Sequence, residues 1–211
     1  MIRNDGVSNS VIKRLPRYYR FLGELKEKGV VRISSKDLSN KMGFTASQIR
    51  QDLNCFGGFG QQGYGYNIES LYNEIGKILG VDKTRNAILI GAGNLGKAVA
   101  LHMSFEARGF NIIGIFDKNK ALVGQLLRGL PIRHTDNLFD FCKDNSPTVA
   151  VLCIPSSAAE ELAPQLVDLG IKGFWNFSHY DISANYPEVA VENVHLSDSL
   201  MKLSYHVSNM E

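Results

Sequence analysis

Three glycines stand at the spacing G-x-G-x-x-G in the segment Gly91-Ala92-Gly93-Asn94-Leu95-Gly96. The apolar residues 87–90 before them predict a buried strand, and residues 97–106 after them predict a helix. In that context the glycines allow a sharp turn, a close approach of the backbone to a pyrophosphate, and tight packing of helix on strand. The helix N-terminus adds free N–H groups and the positive end of its dipole. The segment therefore predicts a dinucleotide site that uses all six residues.

A carboxylate follows at the position where such a site needs one. Residues 112–116 predict the next strand, which ends at Asp117, 21 residues after Gly96. A carboxylate there accepts hydrogen bonds from the adenosine ribose and repels a 2′-phosphate. The expected cofactors are therefore NADH and NAD+ rather than their phosphorylated forms. The neighbouring Lys118 is also predicted to bind the cofactor.

Strands and helices continue to alternate along the chain. Residues 149–154 predict a buried strand that ends at Pro155 and Ser156, and residues 158–169 and 173–177 predict a helix and a short strand. This alternation predicts an α/β fold with a doubly wound parallel sheet, a Rossmann domain over residues 81–195. Ligands bind at the carboxyl ends of such strands, so Pro155 and Ser156 are expected to border the cofactor. A plain strand-to-helix turn is the alternative.

The N-terminal third predicts a helix-turn-helix. Residues 11–28 have helical apolar spacing, with Pro16 placed in the first turn. Ser34 and Thr45 are predicted caps of two short helices that follow. The second short helix is expected to expose four side chains of the types that reach base edges and phosphates: Ser47, Gln48, Arg50 and Gln51.

Glycine alternates with aromatic and polar residues over residues 56–66, which predicts a tight hairpin. A hairpin directly after a recognition helix is a wing, so Gln61 and Gln62 are predicted DNA contacts. Residues 68–79 predict a linker helix that ends at Gly80. A winged-helix DNA-binding domain is therefore expected over residues 1–80, with a small protein-binding helical module as the alternative.

The distribution of charge favours a nucleic-acid partner for the N-terminal part. Residues 1–66 contain 11 Lys and Arg against 5 Asp and Glu, and the remaining residues contain 12 against 16. The net charges of +6 and −4 add to the +2 of the whole chain. A basic N-terminal part joined to an acidic remainder suggests that the N-terminal part binds a polyanion.

Composition argues against a membrane protein and against a metal site. The first ten residues are polar, and no apolar run approaches 18 residues. The three cysteines, Cys55, Cys142 and Cys153, are scattered and lack metal-ligand spacing. The sequence therefore predicts a cytoplasmic protein with free thiols.

The last segment places Leu196, Leu200, Leu203 and Val207 at helical spacing, with Ser197 as a predicted cap. Such a helix over residues 196–211 belongs to the core of a monomer or to a dimerisation or domain-swapped contact.

With both halves in place, the sequence resembles the bacterial redox-sensing repressor family called Rex, over nearly its full length. The motifs that carry the resemblance are Arg14-Leu15-Pro16-Arg17-Tyr18-Tyr19, Gln48-Ile49-Arg50-Gln51-Asp52-Leu53, Phe56-Gly57-Gly58-Phe59-Gly60, Gly63-Tyr64-Gly65-Tyr66, the segment 91–96, and Gly170-Ile171-Lys172-Gly173-Phe174-Trp175-Asn176-Phe177. Arg14 and Arg17 of the first motif are included among the predicted DNA-binding residues.

The resemblance implies a homodimer that binds a palindromic operator when NAD+ predominates and leaves it when NADH binds. It implies a C-terminal helix exchanged between subunits, near the partner's nicotinamide pocket, which adds Leu196 to the predicted cofactor residues. Three positions depart from the family pattern. In the wing, Gln61-Gln62 stands where a basic residue is common in the family. His102 stands where many members have a tyrosine implicated in the redox-linked switch. His195 stands where many have an aspartate linked to a basic residue of the DNA-binding domain.

Two other functions fit parts of the sequence. An NAD-dependent dehydrogenase needs a substrate domain and an acid–base residue near the nicotinamide. The chain leaves no room for such a domain and contains no Tyr-x-x-x-Lys pair. A CoA-binding module is the other alternative, because residues 86–180 also resemble the CoA-binding domain of acyl-CoA ligases. Asp117 and the attached winged helix argue against it.

Overall fold

The computed structural model describes residues 7–57, 60–61 and 64–210 of the chain. The chain divides into two units, Met1–Asp82 and Lys83–Glu211. The division into functional domains at residues 80 and 195 remains a prediction.

The first unit combines four helices with a small antiparallel sheet of order β1-β3-β2 among its described residues. Ser34 caps α2 by accepting the Asp37 N–H, and Thr45 caps α3 by accepting the Gln48 N–H, which confirms both predicted caps. The elements are α1 (Asn9–Glu27), β1 (Arg32–Ile33), α2 (Ser35–Met42), α3 (Ala46–Asn54), β2 (Gly60–Gln61), β3 (Gly65–Asn67) and α4 (Ile68–Leu79).

Pro16 lies in the interior of α1, so its predicted place in the first turn is wrong. The helix begins at Asn9, with Ser8 as the N-cap residue. Proline has no N–H, so α1 lacks one internal hydrogen bond at this point. Leu15 and Tyr18 are almost completely buried beside it, and their packing keeps the segment helical.

The predicted linker helix, α4, contributes to the core of the first unit. Ile68, Leu71 and Ile75 are buried in the same cluster as Leu15 and Leu22 of α1. The helix ends at Gly80, which has φ +68° and the left-handed conformation that suits glycine. Packing against α1 therefore holds α4 in the first unit.

The second unit is built on a seven-stranded sheet of order β10-β9-β8-β4-β5-β7-β6. All neighbouring pairs are parallel except β6 and β7. Apart from β6, the order is that of the Rossmann fold, with its switch point between β4 and β8. The strands and α-helices are β4 (Arg85–Ile90), α5 (Asn94–His102), β5 (Phe110–Asp117), β6 (Leu126–Leu127), β7 (Leu130–His134), α6 (Leu138–Asn145), β8 (Val149–Leu152), α7 (Ser156–Asp168), β9 (Gly173–Asn176), α8 (Ile182–Asn185), β10 (Ala190–Asn193) and α9 (Leu196–Ser208).

Several details differ from the sequence prediction. The helix after the glycines ends at His102 rather than at residue 106, and α9 begins at Leu196 with His195, not Ser197, as its N-cap. Ser197 lies inside the helix, where its side chain cannot cap. Strand β7 was not predicted, since it contains Pro131 and buries only Ile132 completely. A proline within a run argues against a strand in sequence analysis.

Candidate DNA-binding surface and dinucleotide site

The second helix of the helix-turn-helix, α3, presents a mostly polar outer face. Ile49 and Leu53 are buried, whereas Ser47, Arg50 and Gln51 are exposed, as predicted. The Arg50 guanidinium donates from Nη1 to the Ser35 hydroxyl at 3.0 Å, in the first turn of α2. This contact limits the directions in which Arg50 can reach.

The fourth predicted side chain, Gln48, is half-buried and contacts the neighbouring turn of its own helix. Its Nε2 donates to Asp52 Oδ1 at 2.8 Å. Gln48 is therefore not simply solvent-exposed. One donor of its amide is used within the protein.

The two arginines of α1 lie in different surroundings. Arg14 is half-buried and donates from Nε and Nη2 to the carboxylate of Asp52, at 2.6 and 2.7 Å. Arg17 is exposed and places its guanidinium over the ring of Phe44, 4.8 Å from the centroid. The Nε–Nη2 edge of the Arg14 guanidinium is thus bound to Asp52 within the first unit, whereas Arg17 extends along the surface.

Asp52, to which sequence analysis assigned no role, is the buried centre of this surface. Its relative exposure is 0%, and the Tyr18 hydroxyl also donates to it, at 2.8 Å. Burial raises the pKa of Asp52, and hydrogen bonds from Arg14, Gln48 and Tyr18 lower it to a net value below the ordinary one. The carboxylate is therefore charged at neutral pH. Only its four-residue spacing from Gln48 was visible in the sequence, because Arg14 lies 38 positions away.

The predicted hairpin is present in the described part of the wing. Strands β2 and β3 pair antiparallel, with Gly60 opposite Tyr66 and Gln61 opposite Gly65. Gly65 has φ +69°, and a Cβ there would lie 2.7 Å from the Ile33 carbonyl oxygen, so glycine is required. Gln61 belongs to β2, and Gln62 lies outside the described residues.

In the second unit, the three glycines of the loop have the different surroundings that their predicted roles require. Gly91 has φ +96°, and a Cβ there would collide with the carbonyl oxygen of Cys153. A Cβ on Gly96 would collide with the Gly91 carbonyl oxygen. A Cβ on Gly93 would meet nothing within 4 Å, so this glycine faces open space at the start of α5. The backbone there is accessible to a phosphate group, and the loop fits a dinucleotide.

Asp117 binds the loop that it was predicted to accompany. Its Oδ2 accepts the Ala92 N–H at 2.6 Å, and its Oδ1 accepts the Asn119 N–H at 2.8 Å. An ionised carboxylate has about four acceptor positions, so capacity remains for ribose hydroxyls. Asp117 therefore both holds the loop and offers an acceptor beside it.

The other predicted cofactor residues are distributed over three places. Pro155 and Ser156 are exposed at the end of β8 and the start of α7, across the switch point from the loop. Lys118 is exposed after β5, and its carbonyl oxygen lies 3.1 Å from His134 Nε2. Leu196 is the exposed first residue of α9.

One face of the sheet is incompletely covered in the single chain. Helix α5 packs on this face, but near the N-terminal ends of β8, β9 and β10 a cavity of about 880 Å³ remains. Its apolar lining includes Phe105, Val149, Val151, Trp175 and Val191.

Helix α9 is exposed along its apolar positions. The exposed fractions of Leu196, Leu200, Leu203 and Val207 are 65%, 68%, 57% and 47%. Exposed apolar surface of this extent is typical of an interaction site.

Comparison with known families identifies both units. The model described as "Putative DNA-binding protein N-terminus" matches residues 6–54, and the model "CoA binding domain" matches residues 82–180. The redox-sensing transcriptional repressor Rex of Clostridioides difficile (strain 630) is 53% identical over 97% of both chains. That of Thermoanaerobacter sp. (strain X514) is 55% identical over all of this chain and 94% of its own. The chain belongs to the Rex family.

Solved structures extend the similarity to the fold. RSP in complex with β-NAD+ and operator DNA has a TM-score of 0.89 and 54% identity, covering 97% of this chain and 94% of its own. RSP in complex with β-NADH has a TM-score of 0.88 and 51% identity, covering 97% and 96%. These neighbours confirm the predicted winged-helix and Rossmann architecture.

Membership of the Rex family also decides between the rival functions. The relatives are curated as transcriptional repressors, which confirms the predicted repressor and not the dehydrogenase. The match to the CoA-binding model lies within the α/β unit of this chain. Among the described residues, no helix is long and apolar enough to cross a membrane, and no cluster of three metal-ligating side chains occurs.

Proposed function

We propose that this chain represses transcription by binding a palindromic operator, and that NADH releases it whereas NAD+ permits binding. The observation that carries the proposal is the 54% identity, over 97% of the chain, to RSP, which has been crystallised with β-NAD+ and operator DNA. The glycine loop and the polar face of α3 support it independently. A DNA-shift assay with selected palindromes, titrated with NADH and NAD+ separately, tests it. Equal effects of the two nucleotides would contradict it.

The proposed DNA-binding residues are Arg14, Arg17, Ser47, Gln48, Arg50 and Gln51, with Gln61 and Gln62 in the wing. Arg50 is the strongest candidate for a base contact, because it is exposed on the recognition helix and anchored to Ser35 at 3.0 Å. A guanidinium reads guanine by two parallel hydrogen bonds.

Arg50→Ala is therefore expected to weaken operator binding by about 1–3 kcal/mol and to relax the base preference at one position. Lys143→Ala is the matched control, since it removes one exposed positive charge from α6. Fluorescence anisotropy at fixed salt measures both. Unchanged operator affinity in the Arg50 variant would show that α3 is not the recognition helix.

The proposed cofactor-binding residues are Gly91 to Gly96, Asp117, Lys118, Pro155, Ser156 and Leu196. Asp117 is expected to make the protein bind NADH more tightly than NADPH, since its charge opposes a 2′-phosphate. Asp117→Ala would also remove the acceptor for the Ala92 N–H.

Asp117→Asn is the sharper variant, because its single amide oxygen can still accept the Ala92 N–H while the charge and the bond from the Asn119 N–H are lost. The ratio of the NADPH and NADH dissociation constants, measured by calorimetry, is expected to fall about tenfold. Asp140→Asn, at an exposed residue of α6, is the control for the change of charge. Equal affinity of the unsubstituted protein for both nucleotides would contradict the assignment.

We propose a homodimer in which α9 packs against the second copy. Two observations support it: the apolar positions of α9 are exposed, and the same unit has an apolar cavity on an incompletely covered sheet face. In a two-fold symmetric dimer, each copy would bury its α9 and its sheet face against the other copy. The two winged helices of such a dimer would read the two halves of a palindrome.

The sensing of redox state is assigned to the nucleotide rather than to Cys142 or Cys153. Burial raises the pKa of the Cys142 thiol to about 11 and that of Cys153 to about 12. Neither is a thiolate at neutral pH, so neither reacts readily. All three cysteines are free, which, with operator DNA as the proposed partner, supports a cytoplasmic location.

A further inference from the structure

The carboxylate of Asp52 is saturated by side chains of the DNA-binding surface. Oδ1 accepts from Arg14 Nη2 at 2.7 Å and from Gln48 Nε2 at 2.8 Å. Oδ2 accepts from Arg14 Nε at 2.6 Å and from Tyr18 Oη at 2.8 Å. These four bonds fill the acceptor positions of a carboxylate, so the buried Asp52 has no further acceptor for another group.

The same bonds determine which way the Gln48 amide faces. An ionised carboxylate only accepts hydrogen bonds, so the Gln48 NH2 group must point towards Asp52. The carbonyl oxygen Oε1 is then the end of the amide that points away from Asp52. On the recognition helix, an acceptor in that position pairs with the exocyclic amino group of adenine or cytosine in the major groove.

Arg14 is restrained by the same carboxylate. Its Nε and Nη2 form a bidentate pair with Asp52, and its side chain is 23% exposed. With its Nε–Nη2 edge occupied by Asp52, Arg14 cannot offer that edge to a phosphate. Asp52 therefore controls two of the residues proposed to meet DNA, one on α1 and one on α3.

We propose that Asp52 is a positioning residue for sequence discrimination. It orients the Gln48 amide, and it keeps the Nε–Nη2 edge of Arg14 from non-specific phosphate contacts. The inference rests on the proposed DNA-binding function. It makes a prediction that a purely structural role does not make: loss of the carboxylate lowers specificity while non-specific affinity is kept or increased.

Asp52→Asn tests this in the full-length protein. Asparagine has one acceptor oxygen, so it cannot satisfy all four donors, and Gln48 and Arg14 lose their fixed orientation. With palindromic duplexes selected from a random library, the unsubstituted protein is expected to prefer adenine or cytosine at one position of each half-site. In the variant the preference at that position is expected to fall about tenfold. The salt dependence of non-specific binding is expected to steepen by about one unit, since Arg14 becomes available to a phosphate.

Glu27→Gln is the matched control, because it removes one negative charge from the same unit at the exposed last residue of α1. It is expected to leave the base preference unchanged. In Gln48→Met, which has no amide, the preference at the same position is expected to be absent, and adding Asp52→Asn should cause no further loss there.

The outcomes separate this proposal from the function on which it rests. If the unsubstituted protein selects no DNA, both fail. If it selects an operator but Asp52→Asn lowers specific and non-specific binding equally, Asp52 is only structural and this proposal is overturned. If circular dichroism shows that Asp52→Asn does not fold, Gln48→Met decides: an unchanged base preference in that variant overturns the proposal.

Discussion

Removal of residues 196–211 is expected to give a monomer that does not bind operator DNA tightly and does not respond to NADH. Helix α9 exposes Leu196, Leu200 and Leu203 at more than half of their surface. Each buried leucine contributes roughly 1.5–3 kcal/mol, so losing several from both copies removes most of the energy of an interface. A single winged helix would then read only half of a palindrome.

The truncated protein is expected to retain nucleotide binding, with reduced discrimination between NADH and NAD+. The two nucleotides differ only at the nicotinamide, and a ligand shifts an equilibrium only by its differential affinity for the two states. In the proposed site the glycine loop and Asp117 bind the pyrophosphate and the adenosine half, which are common to both nucleotides. Sedimentation and calorimetry of the truncated protein measure the assembly and the two affinities.

A point substitution distinguishes loss of the interface from loss of the segment. Leu200→Glu places a charge on the apolar side of α9 and is expected to dissociate the dimer. Lys202→Ala, on another side of the helix, changes the net charge by the same amount and should leave the dimer intact. A truncated protein that stays dimeric and still releases DNA only with NADH would refute the proposed role of α9.

Gly93→Ser is expected to yield a stable repressor that no longer responds to NADH. A Cβ at Gly93 meets no atom within 4 Å, and serine is a preferred N-cap residue, so folding should be unaffected. The added side chain would occupy the space where the backbone must approach a pyrophosphate. We expect nucleotide affinity to fall by about 2–3 kcal/mol, roughly a hundredfold. Operator binding should then persist at NADH concentrations that release the unsubstituted protein.

Gly96→Ala provides the contrast, because it damages the fold itself. Its Cβ would collide with the Gly91 carbonyl oxygen, and backbone atoms cannot yield cheaply. A loss of about 3 kcal/mol in the free energy of unfolding is expected. Thermal unfolding and NADH titration of both variants separate the two effects. If Gly93→Ser binds NADH as tightly as the unsubstituted protein, the loop does not hold the pyrophosphate.

Local patterns in the sequence were sufficient to predict the functional elements of both units. The glycine segment, the two capping residues Ser34 and Thr45 and the glycine-rich hairpin each depend on residues within a few positions of one another. Their conformations follow from short-range sterics and hydrogen bonds, which the chain order displays directly. For the same reason Ile49 and Leu53 could be assigned inward and Ser47, Arg50 and Gln51 outward.

Only the tertiary structure revealed contacts between residues distant in the chain. The Asp52 cluster joins Arg14 and Tyr18 to a helix more than 30 positions later, and no periodicity encodes such a pairing. The bond from Ala92 to Asp117, the interior position of Pro16 and the exposure of α9 likewise depend on which surfaces pack together. A buried charge such as that of Asp52 is stable only where the fold brings enough hydrogen-bond donors to it. Those donors come from several elements, so the site depends on how the whole unit packs. The sequence thus determined which residues could bind DNA and a dinucleotide, and the fold decided how Arg14, Gln48 and Asp117 are held.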